Sequence, residues 1–534
     1  MELISQHTKK IMEECKVRAR AAGLRFDDET LEYIVTNKDL LELSPKVMIP
    51  TLYDYWVNDV EVLKEQGKYK LYPSNPYETV INSRPAISFY NDNNPDWLNI
   101  MIFYHVLGHI DFFQNNAMFA NTWNDDFVGQ ALADKRLIAS LRSEHGRWVD
   151  YIIEFSRSID NIVGYFPILA KINQSATQQL TRTEYYFNFF LQEELKVQEY
   201  ELYKEVERFN SIPSPTKEIA ESIFFADVKA KHPEFQAKYE RHLEAPSTQP
   251  VDLMQYILDH SSFINKEKNR WMKSVVSVIR NTSLYFQPQI RTKIANEGWA
   301  SYWHDELFRS DDRIKGHEVA YAKLNAGVTS ISRIGLNPYA IGLRLIQQIE
   351  KNANKGKLNF NFQKIDGIDE REKYDMHTGK GREAIFSIRR DFSDFMLINT
   401  FVDQDFVDDH GLFVTGKRLN QQRGMVEYYV KSRKAKDYKK MLLDSLYHPP
   451  KIDVDTNKSN DEHLYLIHRF EGKQLYNGFI PDTMLGISVL WGGSIQLETT
   501  EIHAKKSRTQ NTPEFEYKKV VYTIKDRKIT KDYL

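Results

Sequence analysis

The chain has one cysteine in 534 residues, Cys15. A lone cysteine excludes an intramolecular disulfide and any Cys-rich zinc module, and it fits a reducing cytoplasm. Long apolar runs are also missing, and none approaches the roughly 18–20 residues that a membrane span needs. The opening segment, Met1-Glu2-Leu3-Ile4-Ser5-Gln6-His7-Thr8-Lys9-Lys10, has neither the n-region nor the apolar core of a signal peptide. A cytoplasmic location is the expectation. Charge of one sign is absent too: 72 Lys and Arg against 74 Asp and Glu leave a net charge of −2. No global field then favours nucleic acid or an anionic membrane, and neither is expected as a partner. No Gly-x-x-x-x-Gly-Lys-Ser/Thr run occurs, so P-loop nucleotide binding is not expected. There is no internal repeat and no long low-complexity tract.

What is present is aromatic and periodic. The chain carries 30 Tyr and 30 Phe, enough for large aromatic cores. Its length suggests more than one domain. Helical patterning runs over Glu2–Phe26, a short Tyr53–Glu65, Phe127–Tyr165, Thr183–Arg208, Leu253–Arg280, Gln289–Leu307 and Pro338–Glu350. Asn94-Pro95-Asp96 is a start signal for another helix, from Trp97 to about Asn115. After about Arg418 the texture changes. Met425–Val430, Leu464–Phe470, Gly486–Leu490, Ser494–Glu501 and Lys518–Ile524 read as strands, with a helix over Asp437–Leu446. Leu490-Trp491-Gly492-Gly493 reads as a strand followed by a tight turn. The expected fold is mainly α: a large helical domain over 1–417, then a smaller α+β domain over 418–534.

Two motifs carry the chemistry. The first is Tyr104-His105-Val106-Leu107-Gly108-His109-Ile110-Asp111-Phe112-Phe113, and the second is Asn296-Glu297-Gly298-Trp299-Ala300-Ser301-Tyr302-Trp303-His304. Both set polar, metal-competent side chains among apolar and aromatic ones, where a polar group must be satisfied. His105 and His109 share a helix face at i and i+4, the spacing by which two imidazoles reach one metal. Glu297 would complete a three-ligand set with an open fourth position, the arrangement of catalytic zinc. His304, two turns after Glu297, shares its face. The glutamate base of a His-Glu-x-x-His helix is absent, since Val106 fills that slot. Asp111 and His304 are the candidate catalytic residues in its place. Blander readings stand beside these. Both histidines can be neutral and hydrogen-bonded, and Glu297 can pair with Arg291 or Lys293. Trp299, Tyr302 and Trp303 fit core packing better than substrate stacking. Gly108 leaves room for a ligand or a neighbouring helix, and Asn115 or Asn116 suits a helix C-cap.

At these residues the chain resembles the stage V sporulation protein R family. The resemblance lies in His105-Val106-x-Gly108-His109-x-Asp111-Phe112-Phe113-x-Asn115-Asn116 and in Tyr285-Phe286-x-Pro288-Gln289-x-x-Thr292-Lys293-Ile294-x-Asn296-Glu297-Gly298-Trp299-Ala300. Asn337-Pro338-Tyr339-x-x-Gly342, Pro481-x-Thr483-Met484-Leu485-Gly486-Ile487 and Leu490-Trp491-Gly492-Gly493 extend it. The resemblance implies a soluble protein linked to spore cortex formation, or elsewhere to stress and stationary-phase responses. It implies an AAA-type serine kinase and a von Willebrand A-like protein as partners. Glu297-Gly298-Trp299-Ala300 is also similar to a helix of gluzincin-like peptidases, in which that glutamate is the third zinc ligand. This implies a zincin-like helical arrangement, with zinc or another divalent metal on His105, His109 and Glu297. Two functions stay open: a regulator or scaffold built around the polar cluster, and a metal-dependent hydrolase of peptide or amide bonds, possible in cell-wall metabolism.

Overall fold

Burial alternates along Thr30–Val35, the signature of a strand with one covered face. The computed structural model that shows it describes residues 2–36, 39, 78–122, 127–176, 182–195, 197, 199–213, 217–244, 251–332, 335–420, 424–446, 448–505 and 514–534. The helix expected over Tyr53–Glu65 lies outside them. Four strands, β1 (Glu2–Leu3), β2 (Thr30–Val35), β3 (Glu78–Ile81) and β4 (Ala86–Asn91), form a sheet in the order β1-β2-β4-β3. Only β2 and β4 run parallel. This sheet sits inside the region expected to be purely helical.

Helix α1 (Gln6–Ala21) starts on Ser5, whose side chain accepts from the Thr8 N–H. Helix α2 (Asp96–Asn115) begins after Pro95 and is buried without a break from Ile100 to Phe113. A helix covered on every side is central to its fold, and α2 carries the first motif there. The long pattern from Phe127 is two helices, Phe127–His145 and α3 (Trp148–Arg157), divided where Gly146 takes φ +58°. Helices Leu253–His260 and α4 (Arg270–Arg291) follow, then α5 (Lys293–Arg309), α6 (Glu318–Val328), α7 (Pro338–Asn354), α8 (Gly381–Asp391) and α9 (Asp394–Phe401). The pattern over Leu253–Arg280 is thus interrupted between His260 and Arg270.

Helix α5 is wedged between α2 and α7 at glycine contacts. A Cβ on Gly108 would stand 2.8 Å from the Ala300 Cα. A Cβ on Gly298 would stand 2.3 Å from the Gly342 carbonyl carbon, and one on Gly342 would stand 2.1 Å from the Ile294 carbonyl oxygen. Only hydrogen fits at these positions, so the backbones of three helices come together there. The space at Gly108 is taken by a neighbouring helix.

Beyond residue 410, β5 (Val414–Asn420) and β6 (Met425–Ser432) form a two-stranded ribbon. A helix at Ala435–Ser445 follows. Strands β7 (Lys451–Val454) and β8 (His463–Arg469), helix α10 (Ile480–Trp491), and strands β9 (Ser494–Lys505), β10 (Glu514–Lys525) and β11 (Lys528–Tyr533) complete the chain. They give a five-stranded sheet in the order β11-β10-β9-β8-β7, parallel only between β8 and β9, which α10 connects. Gly486–Leu490 is therefore part of a helix and not a strand, and Gly492 is the helix cap. Gly492 adopts φ +83°, the left-handed conformation that ends a helix at low cost for glycine alone. Mean apolarity over Ile480–Trp491 hides the difference between a buried helix and a buried strand.

By internal contacts the chain divides into two compact units, 1–165 with 252–534, and 166–251. Residues 417 and 418 both lie in the first. Its main core joins Val149, Ile152 and Ile153 of α3 and Val275 and Val276 of α4 to Leu464, Ile487, Leu490 and Ile495 of the C-terminal region. The second unit has its own aromatic core of Tyr185, Tyr186, Phe190, Phe224, Phe225 and Phe235. Its first part is a π-helix, Tyr185–Glu194, and the pattern over Thr183–Arg208 is broken before a second helix at Glu199–Asn210. The whole chain is mainly α, as expected.

Candidate metal centre on helices α2 and α5

Helix α5 begins at Thr292 without a cap from its own side chain. Its first N–H groups are satisfied from a distance. Asp394, at the start of α9, accepts from Ile294 N–H at 2.9 Å and from Ala295 N–H at 2.8 Å. Burial pushes the Asp394 carboxyl up to about 7 despite these two bonds. This anchor sets the position of Glu297, half a turn further on.

His105, His109 and Glu297 converge as expected. Glu297 Oε2 is 3.5 Å from His109 Nε2 and 3.9 Å from His105 Nε2. One potential ligand atom from each of the three lies within 4.8 Å of the others. Both histidines are buried. Burial lowers the His105 pKa to about 3, so its imidazole is neutral near pH 7. Burial opposes charge on Glu297 as well, but the facing imidazoles of His105 and His109 outweigh it and hold that carboxyl below its ordinary value. Arg291, offered above as a partner for Glu297, donates instead to the carbonyls of Asn161 and Val163.

The hydrogen bonds behind the cluster decide which imidazole nitrogen faces it. Asn325 Nδ2 donates to Asp305 Oδ1 at 3.3 Å, which leaves Asn325 Oδ1 to accept from His304 Nε2–H at 3.1 Å. Burial lowers His304 to about 4, so His304 is neutral and its Nδ1 is an acceptor. His105 Nδ1–H donates to it at 2.8 Å. The remaining nitrogen, His105 Nε2, presents its lone pair towards Glu297. On the other side, His109 Nδ1–H donates to Asn296 Oδ1 at 2.9 Å, so the neutral ring likewise turns an Nε2 lone pair inward. Two imidazole lone pairs and a carboxylate oxygen thus face one another. They repel unless a proton or a cation lies among them. Donors bound to zinc at about 2.0–2.1 Å stand roughly 3.3 Å apart in a tetrahedral shell, close to the separations here. The donor set suits zinc, and each ligating histidine already has the outer partner that such ligands require.

His304 therefore stands behind His105, as the group that holds its tautomer. Asp111 is placed elsewhere. Its carboxylate accepts from Trp299 Nε1–H at 2.8 Å and from the Arg25 N–H at 2.6 Å, and it pairs with Arg389 at 3.3 Å. Burial still raises it to about 6. Asn116 is the C-cap residue of α2, and its side chain holds the carbonyls of Arg389 and Phe392. Trp299, Tyr302 and Trp303 are buried core residues. Asn296, Asn325 and Asp305 were missed in the sequence. Asn296 adjoins Glu297 in the second motif, and its polarity on a buried helix was the available signal. Asn325 lies 21 residues beyond His304, and no local pattern marks it.

A family model described as SpoVR like protein matches residues 2–448. A relative in Escherichia coli strain K12, bearing the name "Uncharacterized protein YcgB", is 22% identical over 403 residues, covering 71% of this chain and 69% of its own. No solved structure matches. Among the described residues no helix is long and apolar enough to cross a membrane.

Proposed function

The chain belongs to the SpoVR family, and on that premise we propose that it is a cytoplasmic metal-binding regulator or scaffold of a sporulation or stress-response pathway. His105, His109 and Glu297 hold one divalent ion, and zinc suits the donors. The observation that carries this reading is the convergence of three acceptor atoms in a buried site, each histidine tautomer set by an outer hydrogen bond. The ion joins α2 to α5 and stabilises the centre of the helical region. The kinase and the von Willebrand A-like protein are its proposed partners.

A metal-dependent hydrolase of peptide or amide bonds is the second reading, favoured by one feature: three protein ligands leave zinc a fourth position for water. Val106, buried in the slot of the zincin base, weighs against it.

Elemental analysis of purified protein free of histidine tags tests the proposal. The expected result is close to one metal ion per chain in the wild type, and loss in both His109→Ala and Glu297→Ala with helical circular dichroism retained. A wild type that takes up no ion after supplementation with zinc, manganese and iron would sink it, and the cluster would then be a proton-sharing polar network. Amide hydrolysis by the loaded wild type, lost in Glu297→Ala, would favour the second reading over the first.

A further inference from the structure

Helices α5 and α6, with the turn between them, line a cavity of about 670 Å³. Small-molecule sites have volumes of roughly 300–1,000 Å³. Four carboxylates line it, those of Asp305, Asp311, Asp312 and Glu318, against two cations, Arg309 and Lys315. The C-terminal turn of α5 also ends on the cavity and adds the negative end of a helix dipole. Both cations are engaged at its rim. Lys315 is held by Asp312 at 2.8 Å. Arg309 places Nε 3.5 Å from Asp305 Oδ1 while its side chain stays 69% exposed. Arg309 is thus a loosely held cation beside the one carboxylate that also faces the metal cluster's outer shell.

Asp305 ties the cavity to that shell. Its Oδ1 accepts from Tyr321 Oη–H at 2.5 Å and from Asn325 Nδ2–H at 3.3 Å, and Tyr321 and Asn325 line the same cavity. Asn325 then accepts from His304, and His304 from His105. Asp305, Tyr321 and Asn325 are at once the wall of a cavity and the support of a metal-ligand tautomer.

We propose that this cavity binds a small organic cation of the alkyl diamine class at Asp305, and that its occupancy is coupled to the metal cluster through Asn325 and His304. A protonated amine supplies the donors that four carboxylates and a helix C-terminus lack. It takes the position beside Asp305 that Arg309 holds weakly. The binding step stands on the cavity alone, whereas the coupling rests on the metal reading above.

Calorimetric titration of 1,4-butanediamine into the full chain, metal-free and zinc-loaded, tests both steps, with 1,4-butanediol as the uncharged control. The diamine is expected to bind at one site and the diol not at all. Asp305→Asn is expected to lose roughly tenfold or more in affinity, the worth of one charge-assisted contact. Arg309→Gln is expected to gain affinity, because a competing cation is removed. Zinc is expected to change diamine affinity by the same factor as the diamine changes zinc affinity. No diamine binding in either the wild type or Arg309→Gln overturns the cavity proposal, as does unchanged affinity in Asp305→Asn. Should Asp305→Asn not fold, Arg309→Gln decides, and no gain over the wild type overturns it. Diamine binding without any zinc binding overturns the metal reading and leaves the cavity standing. Equal diamine affinity with and without zinc overturns the coupling.

Discussion

Two aspartates show how burial separates a support from a ligand. Asp111 joins Arg389, the Trp299 indole and the Arg25 backbone inside the core. Asp111→Ala leaves a buried guanidinium without its counter-charge, at a cost of about 3–5 kcal/mol. Guanidinium unfolding should show that loss, while metal per folded chain stays at the wild-type value. A catalytic Asp111 would instead lose activity with stability kept. Asp394 gives a pH test. Its folded pKa, about 7, lies above the unfolded value of about 3.9. The folded state therefore binds more protons between those values, and this contribution is full below about pH 4 and is lost as pH rises to about 7. His105 and His304 act in the opposite sense: their folded values of about 3 and 4 lie below about 6.5, so their contribution is lost as pH falls. The comparison to make is wild type against Asp394→Asn. The variant should lack the decline between pH 4 and 7 in unfolding free energy that the wild type owes to this carboxyl. Parallel curves would show that Asp394 is already ionised in the folded protein at low pH.

At the scale of elements, the site depends on how closely three helices approach. The α5–α7 contact is backbone against backbone at Gly298 and Gly342, and the α2–α5 contact puts Gly108 on Ala300. An added methyl cannot be absorbed by a side-chain rotation at these points. Gly298→Ala and Gly342→Ala should each destabilise by about 1–3 kcal/mol or more, and both should weaken metal binding by shifting Glu297. Gly327 is the control. It lies within α6 with nothing near its missing Cβ. Gly327→Ala should be neutral or stabilise by about 0.5–1 kcal/mol. Thermal unfolding of the three variants side by side checks the contrast, and equal losses in all three would refute it. Second-motif residues such as Asn296 and Glu297 could be read from the chain because helical periodicity puts i, i+4 and i+7 on one face. The α10 segment was misread because a fully buried helix and a fully buried strand look alike in a short apolar run.

For the whole molecule, the main core decides what can be separated. Leu464, Ile487, Leu490 and Ile495 pack with residues of α3 and α4 in one cluster. A chain ended at residue 417 would expose Val149, Ile152 and Val276 to water. It should aggregate or unfold at a lower temperature than the full chain, as size-exclusion chromatography and calorimetry would show. A monomeric 1–417 chain with an unchanged melting temperature would support the boundary expected from composition. Metal removal acts at the same scale, because an ion that binds only the folded state stabilises it by mass action. A tight chelator should lower the melting temperature of the wild type and leave that of Glu297→Ala unmoved. Equal shifts in both would place the ion elsewhere.

Composition and periodicity by themselves determined the mainly α class, the family resemblance and the ligand trio. His105 and His109 are paired by the helix repeat, and Glu297 stands out as a charge on a helix rich in buried aromatic residues. Tertiary structure alone decided the rest. The partner of His304 comes from a helix 21 residues away, the cap of α5 comes from Asp394 about a hundred residues on, and Asp111 is drawn to Arg389 and Trp299. No local pattern encodes such pairs, because hydrogen-bond partners of buried groups are chosen by which backbones the glycine contacts bring together. The same packing makes one core of segments that differ in texture on either side of residue 417.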